Sequence, residues 1–166
     1  MRSNSESKAI RERFAEARKL LAKGAHYSGL VRLAEIENCA ANAAIESESA
    51  ALATKLLGQV PVSSELMQLA IQETITEVRR LEKLLSGASP YEYEEVVLAI
   101  TMGVQLELFA QFMKRRFPER IELDLHTVDE LLRKLAESRP NKAVFASARS
   151  ASKRNWGLRI QSKWLE

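Results

Sequence analysis

"VVLAITMGVQLELFAQFM", residues 96–113, is apolar nearly all round for eighteen residues. Gln105, Glu107 and Gln111 interrupt it. A stretch of this length approaches a membrane span. A carboxylate near the centre of a span, however, costs about 2.5–3.5 kcal/mol on insertion scales. A helix that is hydrophobic on every side also arises where other helices surround it. Residues 96–113 are therefore read as the core of an all-α domain, and the rest of the chain as its cover.

The composition agrees. With 166 residues the chain is long enough for one domain with a core, and 46% hydrophobic against 28% charged is a globular balance. Six glycines and four prolines leave long uninterrupted runs rich in Ala, Leu, Glu, Arg and Lys, which favour helix. The single cysteine, Cys39, rules out an internal disulfide and suits a reducing compartment. Residues 1–25 contain no apolar leader core, and Glu6, Glu12 and Glu16 break up their basic residues, so a cytoplasmic location is expected.

Working outward from the core stretch, Ser89-Pro90 is expected to open its helix over 90–116, with proline at the first helical position. Before it, residues 64–86 place Met67, Ala70, Thr74, Val78, Leu81 and Leu85 on one stripe. The loop around Pro61 separates this helix from an earlier one over 28–57. There Leu30, Ala34, Glu37, Ala41 and Ala44 form a small-residue stripe containing one carboxylate. At the N-terminus, residues 7–23 form an amphipathic helix with Ile10, Phe14, Ala17 and Leu21 on one face, and Gly24 can end it. After the core helix, "RFPERIELDLHT" is a connector whose "IELDL" alternates as a short strand would. Thr127 is expected to cap a helix over 128–138, with Glu130 at its third position, and Pro140 to stop it.

A weak internal echo orders these pieces. Offset by 65, "HYSGLVRLAEIENCAANA" lies over "YEYEEVVLAITMGVQLEL". Long and shorter helices then alternate, as two helical hairpins packed into a four-helix bundle would. The expected domains are an N-terminal helix over 1–25, the bundle over 26–140 and a basic tail over 141–166.

Three runs carry a family resemblance: "RLAEIENCAANAAIESESAALATKLLG" (32–58), "SSELMQLAIQETITEVRRLEKLLSG" (63–87) and "YEYEEVVLAITMGVQLELFAQFM" (91–113). In pattern and register the chain resembles the ferritin-like superfamily, and rubrerythrin-type domains in particular, over roughly residues 26–140. The resemblance implies a bundle enclosing two iron ions, held by one Glu from each of two helices and Glu-x-x-His from each of the other two. Glu37 matches the first-helix ligand. The second-helix pair falls on Thr74 and Glu77, the third-helix ligand on Met102 or Gly103, and the last pair on Arg139 and Lys142. His26 lies eleven residues before Glu37, about 16 Å along a helix, and His126 is offset by a similar margin, so neither is expected to reach that level. The ligand set is thus incomplete, and no cofactor is expected. If iron is bound, the donors are Glu37, Glu73, Glu77 and Glu107. Otherwise Glu37 is expected to bond Thr74 or Thr101, or to pair with Arg79, Arg80 or Arg139. In that case Arg139 would fill the space of the metal. Glu35 with Glu37, and Glu92, Glu94 and Glu95, read as solvated helix positions.

The net charge of +3 is unevenly spread. Residues 1–25 hold seven Lys or Arg against three Glu, and residues 139–166 hold seven against one. An acidic body between two basic ends points to an anionic partner. Both tryptophans lie in "NWGLRIQSKWLE", with Trp156, Ile160 and Trp164 at helical spacing. Such a segment either folds back on its own bundle or docks to a protein, as Trp and Arg anchors do. Docking is the reading adopted, through Arg154, Trp156, Leu158, Arg159, Ile160, Lys163 and Trp164, with Ile10, Phe14 and Leu21 as a second contact face. The expected function is a non-catalytic accessory or structural subunit of a larger protein assembly, itself able to oligomerise. Nucleic acid or an anionic membrane is the less favoured partner. The alternatives are a divergent metal-binding oxidoreductase or iron-handling protein, and an RNA- or ribosome-associated factor.

Overall fold

The computed structural model describes residues 2–38, 64–87, 89–116 and 123–166. These residues form six helices and no strand: α1 (Arg2–Ala22), α2 (His26–Glu37), α3 (Ser64–Leu84), α4 (Tyr93–Arg116), α5 (His126–Glu137) and α6 (Lys142–Asn155). Cys39, Ala41, Ala44, the loop at Pro61 and most of the connector after Arg116 lie outside the described residues, so those expectations are not met or missed.

Helix α4 carries the apolar run and is packed on by α2, α3, α5 and α6. Ile100, Val104, Leu106, Leu108, Phe109 and Phe112 along it are wholly buried. Each such side chain stabilises the fold by about 1.5–3 kcal/mol at most, so burial rather than helix propensity holds α4 in place. Tyr93–Arg115 is long and apolar enough to cross a membrane, with a mean hydropathy of 1.7. Of its most apolar window, 61% is buried within the fold.

The start of α4 differs from expectation. Pro90 stands before the helix, and Glu92 is the residue whose carbonyl accepts from Val96 N–H. The Glu95 carboxylate reaches back to the Glu92 N–H at 3.1 Å, so a carboxylate three residues in closes the helix start. Helix α5 likewise begins at His126, ahead of Thr127, because Asp124 Oδ1 accepts the His126 N–H at 2.9 Å. Residues 123–125 of the alternating run form no strand.

On α3 the expected stripe faces inward, with Met67, Ala70, Thr74 and Leu81 buried. On α1, Ile10, Phe14 and Ala17 are buried, and the helix lies along α2. Leu21 fills the space beside Gly29 so closely that a Cβ there would stand 2.6 Å from Leu21 Cγ. The face of Ile10, Phe14 and Leu21, expected to meet a partner, is thus used inside the chain.

Residues 141–166 are no loose tail. Residues 142–155 are α6, which buries Phe145, Ala148, Ala151 and Ser152 against α4 and α5. Residues 156–166 then run back irregularly with Trp156, Leu158, Ile160 and Leu165 buried in the same core. Gly103 makes room for this closure. A Cβ on it would stand 2.2 Å from Leu132 Cδ1 of α5 and 3.8 Å from Trp164 Cδ1. The position that the resemblance offers to a metal ligand is therefore filled by a leucine.

Candidate functional site

The carboxylate buried on α2 is Glu35, two residues from the expected Glu37. Glu35 is 0% exposed. A buried carboxylate without partners would cost several kcal/mol or take up a proton. Two guanidiniums meet it. Arg13 of α1 donates from Nε to Glu35 Oε2 at 2.8 Å. Arg32, one turn earlier on α2, donates from Nη1 to both oxygens at 2.7 and 3.0 Å. Arg13 Nη2 also donates to the carbonyl of Trp156. Arg32 Nε stands 3.3 Å from Glu16 Oε1 on α1.

The cluster ties α1, α2 and the C-terminal segment into one charged knot. Burial works to lower the pKa of Arg32, but Glu35 and then Glu16 outweigh it, so its pKa lies above the ordinary value. Tyr27 stands edge-on to Phe109 at 5.1 Å between ring centres. Burial, with Glu77 and Glu35 nearby, pushes its phenol well above the ordinary tyrosine value.

The four carboxylates proposed for iron form no cluster of three and are committed elsewhere. Glu37 faces Arg115 at 3.9 Å. Glu73 accepts the backbone N–H of Tyr27 at 2.7 Å, so α3 caps the first turn of α2. Glu77 pairs with Arg80 at 2.9 Å. Glu107 accepts from Ser162 Oγ at 2.5 Å, beneath the C-terminal segment. Among the described residues no three His, Cys, Asp or Glu are grouped to hold a metal ion, and these four do not fit the paired irons of the resemblance. Arg139 is exposed in the turn before α6. Thr74 Oγ1 donates to the Ile71 carbonyl at 2.5 Å instead of to Glu37.

The residues expected to dock divide by chemistry. Trp156, Leu158 and Ile160 are buried, and Trp164 is half-buried. Arg154, Arg159 and Lys163 are exposed. Lys163 Nζ reaches Asp129 at 2.8 Å on α5. The tryptophans were expected to be costly on the surface, and burial in their own core is how the chain avoids that cost.

Sequence reading missed Glu35, Arg13, Asn38 and Asn141. Asn38 donates to Gln111 Oε1 at 2.7 Å and accepts from the Gln161 N–H at 3.0 Å, linking the end of α2 to α4 and the C-terminal segment. Asn141 is 2% exposed; its Oδ1 accepts the Tyr91 N–H and its Nδ2 donates to Ser89 Oγ, both at 2.9 Å. The one signal for Glu35 was Arg32 three residues before it on the same helix face.

The exposed residues flanking the site are mostly basic, with Glu12, which pairs with Lys8 at 3.8 Å, and Glu16 among them. A Cβ on Gly157 would stand 3.8 Å from Ala9 Cβ, so the C-terminal segment passes against α1. Lys8 and Arg11 on α1 and Lys153, Arg154 and Arg159 near that crossing are all exposed. The chain matches no family model, no curated protein and no solved structure.

Proposed function

We propose that this is a non-catalytic accessory protein that docks, in a cytoplasmic setting, onto an acidic surface of a larger protein assembly. It does so through one cationic face made from both basic ends of the chain, with exposed Arg154, Arg159 and Lys163 in it and Trp156, Leu158 and Ile160 beneath it. The single observation that carries the reading is the crossing at Arg13 and Trp156, which gathers two basic segments from opposite ends of the sequence. Gathered like charge opposes folding and raises the rate of encounter with an oppositely charged surface.

A ferritin-like scaffold is part of the proposal. The packing of α2 with α3, α3 with α5, α5 with α4 and α4 with α2 supports a four-helix arrangement. The carboxylates of that scaffold serve the fold, as Glu73 capping α2 and Glu107 holding Ser162 illustrate. This supports a scaffold used for binding.

The test is affinity capture with the full chain and with Lys153→Glu/Arg154→Glu, both checked for an unchanged melting curve. The expected result is a discrete protein retained by the native chain, released by salt, insensitive to nuclease and absent with the variant. Retention that survives charge reversal, or that nuclease abolishes, overturns the reading. Stoichiometric iron in protein purified without chelator would instead favour the oxidoreductase alternative.

A further inference from the structure

A cavity of about 420 Å³ opens in the C-terminal segment, with Leu158, Ile160 and Leu165 as its apolar lining. These three keep 6%, 9% and 4% of their surface, whereas core residues such as Phe109 and Leu132 keep none. Apolar surface left to water in this way is stabilised by a cover. The volume falls within the range of about 300–1,000 Å³ typical of sites that enclose a ligand group.

The rim restricts what can cover it. Lys153, in the last turn of α6, and Arg159 both line the cavity and are exposed. Arg159 is engaged within the chain, whereas Lys153 has no hydrogen bond or ion pair among the described residues. Arg154, beside it in the sequence, is exposed and equally uncommitted. Glu166 is the one acid in the lining, so two cationic side chains face one acidic one there. Uncommitted cations at the edge of an apolar cavity match an occupant that is apolar at its centre and acidic around it.

We infer that this cavity takes the apolar anchor of an acidic peptide segment of the partner. A leucine or phenylalanine side chain enters over Leu158, Ile160 and Leu165, and carboxylates flanking it meet Lys153 and Arg154. This rests on the docking reading above and adds to it the part of the partner that is recognised. An anchor in a pocket supplies most of the binding energy, and the charges around it select the partner and speed encounter.

The experiment titrates end-capped pentapeptides into the full-length chain and follows the methyl resonances of Leu158, Ile160 and Leu165 by NMR. Three peptides carry two acidic residues on each side of a central phenylalanine, leucine or alanine, and a fourth carries lysines around phenylalanine. The acidic phenylalanine and leucine peptides should shift the methyls saturably, and the lysine peptide should not. The alanine peptide should bind about tenfold or more weakly. Lys153→Glu should weaken the acidic peptides about tenfold by removing one charge-assisted contact. Gln161 is exposed and lines the cavity, so Gln161→Trp should fill it and abolish the shifts. If that variant does not fold, the alanine peptide and Lys153→Glu decide. Methyls that do not move, or equal affinity with alanine at the centre, overturn the inference and leave charge-driven docking standing. Equal binding of acidic and lysine-flanked peptides overturns the docking reading as well. Shifts that grow with protein concentration alone give the cavity to a second copy and overturn the inference.

Discussion

Arg13 and Trp156 stand 143 residues apart in the chain, and a guanidinium N–H of the first donates to the carbonyl of the second. The same guanidinium holds Glu35 from its other side. One side chain therefore fixes the N-terminal helix, the buried carboxylate and the entry of the C-terminal segment.

Removing Glu35 should be severe. Glu35→Ala leaves Arg13 and Arg32 facing each other with little solvent, and breaking a buried pair in this way costs about 3–5 kcal/mol. Urea unfolding of the variant should show the loss as a lower midpoint with a similar slope. Glu37→Ala, two residues away beside Arg115, should cost much less, and equal losses would contradict the assignment of Glu35 as the central acceptor.

Truncation of the last segment should disrupt the fold. Sequence reading set residues 141–166 apart from the bundle as a basic tail, but Trp156, Leu158, Ile160 and Leu165 are core residues. Trp156→Ala alone should cost about 3–5 kcal/mol. A chain ending at Asn155 should lose its near-UV signal and its cooperative melt while keeping helical far-UV absorption. A sharp melt in the truncated chain would show that the segment is not structural.

Gly103→Ala tests the packing of α5 and Trp164 on α4. The added methyl meets Leu132, and overpacking of this kind costs about 1–3 kcal/mol. Combined with Leu132→Ala, the clash disappears, so the double variant should be more stable than the sum of the two single losses. Simple additivity would place Leu132 away from the glycine.

Tyr27 makes stability fall in alkali. Its folded pKa is raised, chiefly by burial, above the ordinary value of 10.0. The unfolded chain therefore gives up this proton first as pH rises, while the folded chain keeps it. The stabilisation is fully present below about pH 10 and declines above it, as linkage requires. Tyr27→Phe should flatten the stability curve above that pH, measured by denaturant midpoints. An unchanged alkaline slope would mean that Tyr27 is not the group responsible.

The helical architecture was legible because its signals are local. The eighteen-residue apolar run could be satisfied only by surrounding it, and the α1 face of Ile10, Phe14 and Ala17 is the face that is buried. The helix starts at Glu92 and His126 were missed because the carboxylates that hold them, Glu95 and Asp124, were read as solvated charge and as strand. The carboxylate on α2 was misplaced for a different reason. A single-stripe reading suits a helix with one covered side, whereas α2 is met by α1, α3 and α4, and Leu30, Val31, Leu33, Ala34, Glu35 and Ile36 are all buried.

Residues 141–166 were misread through their composition. Phe145, Ala148, Ala151 and Ser152 mark one helical face, but serines and basic residues dilute it. Arg13 as the partner of Glu35 had no signal at all, since nothing local in the sequence specifies a contact across 22 residues.

The clasp between Arg13 and Trp156 also bears on how the chain is made. During vectorial synthesis Arg13 emerges early and its carbonyl acceptor emerges long afterwards. The α1–α2 hairpin can assemble first, yet its charged centre stays incomplete until the far segment arrives to close it. Contacts of such long sequence separation slow folding. The face of α4 that α6 covers likewise stays open until α6 has been made.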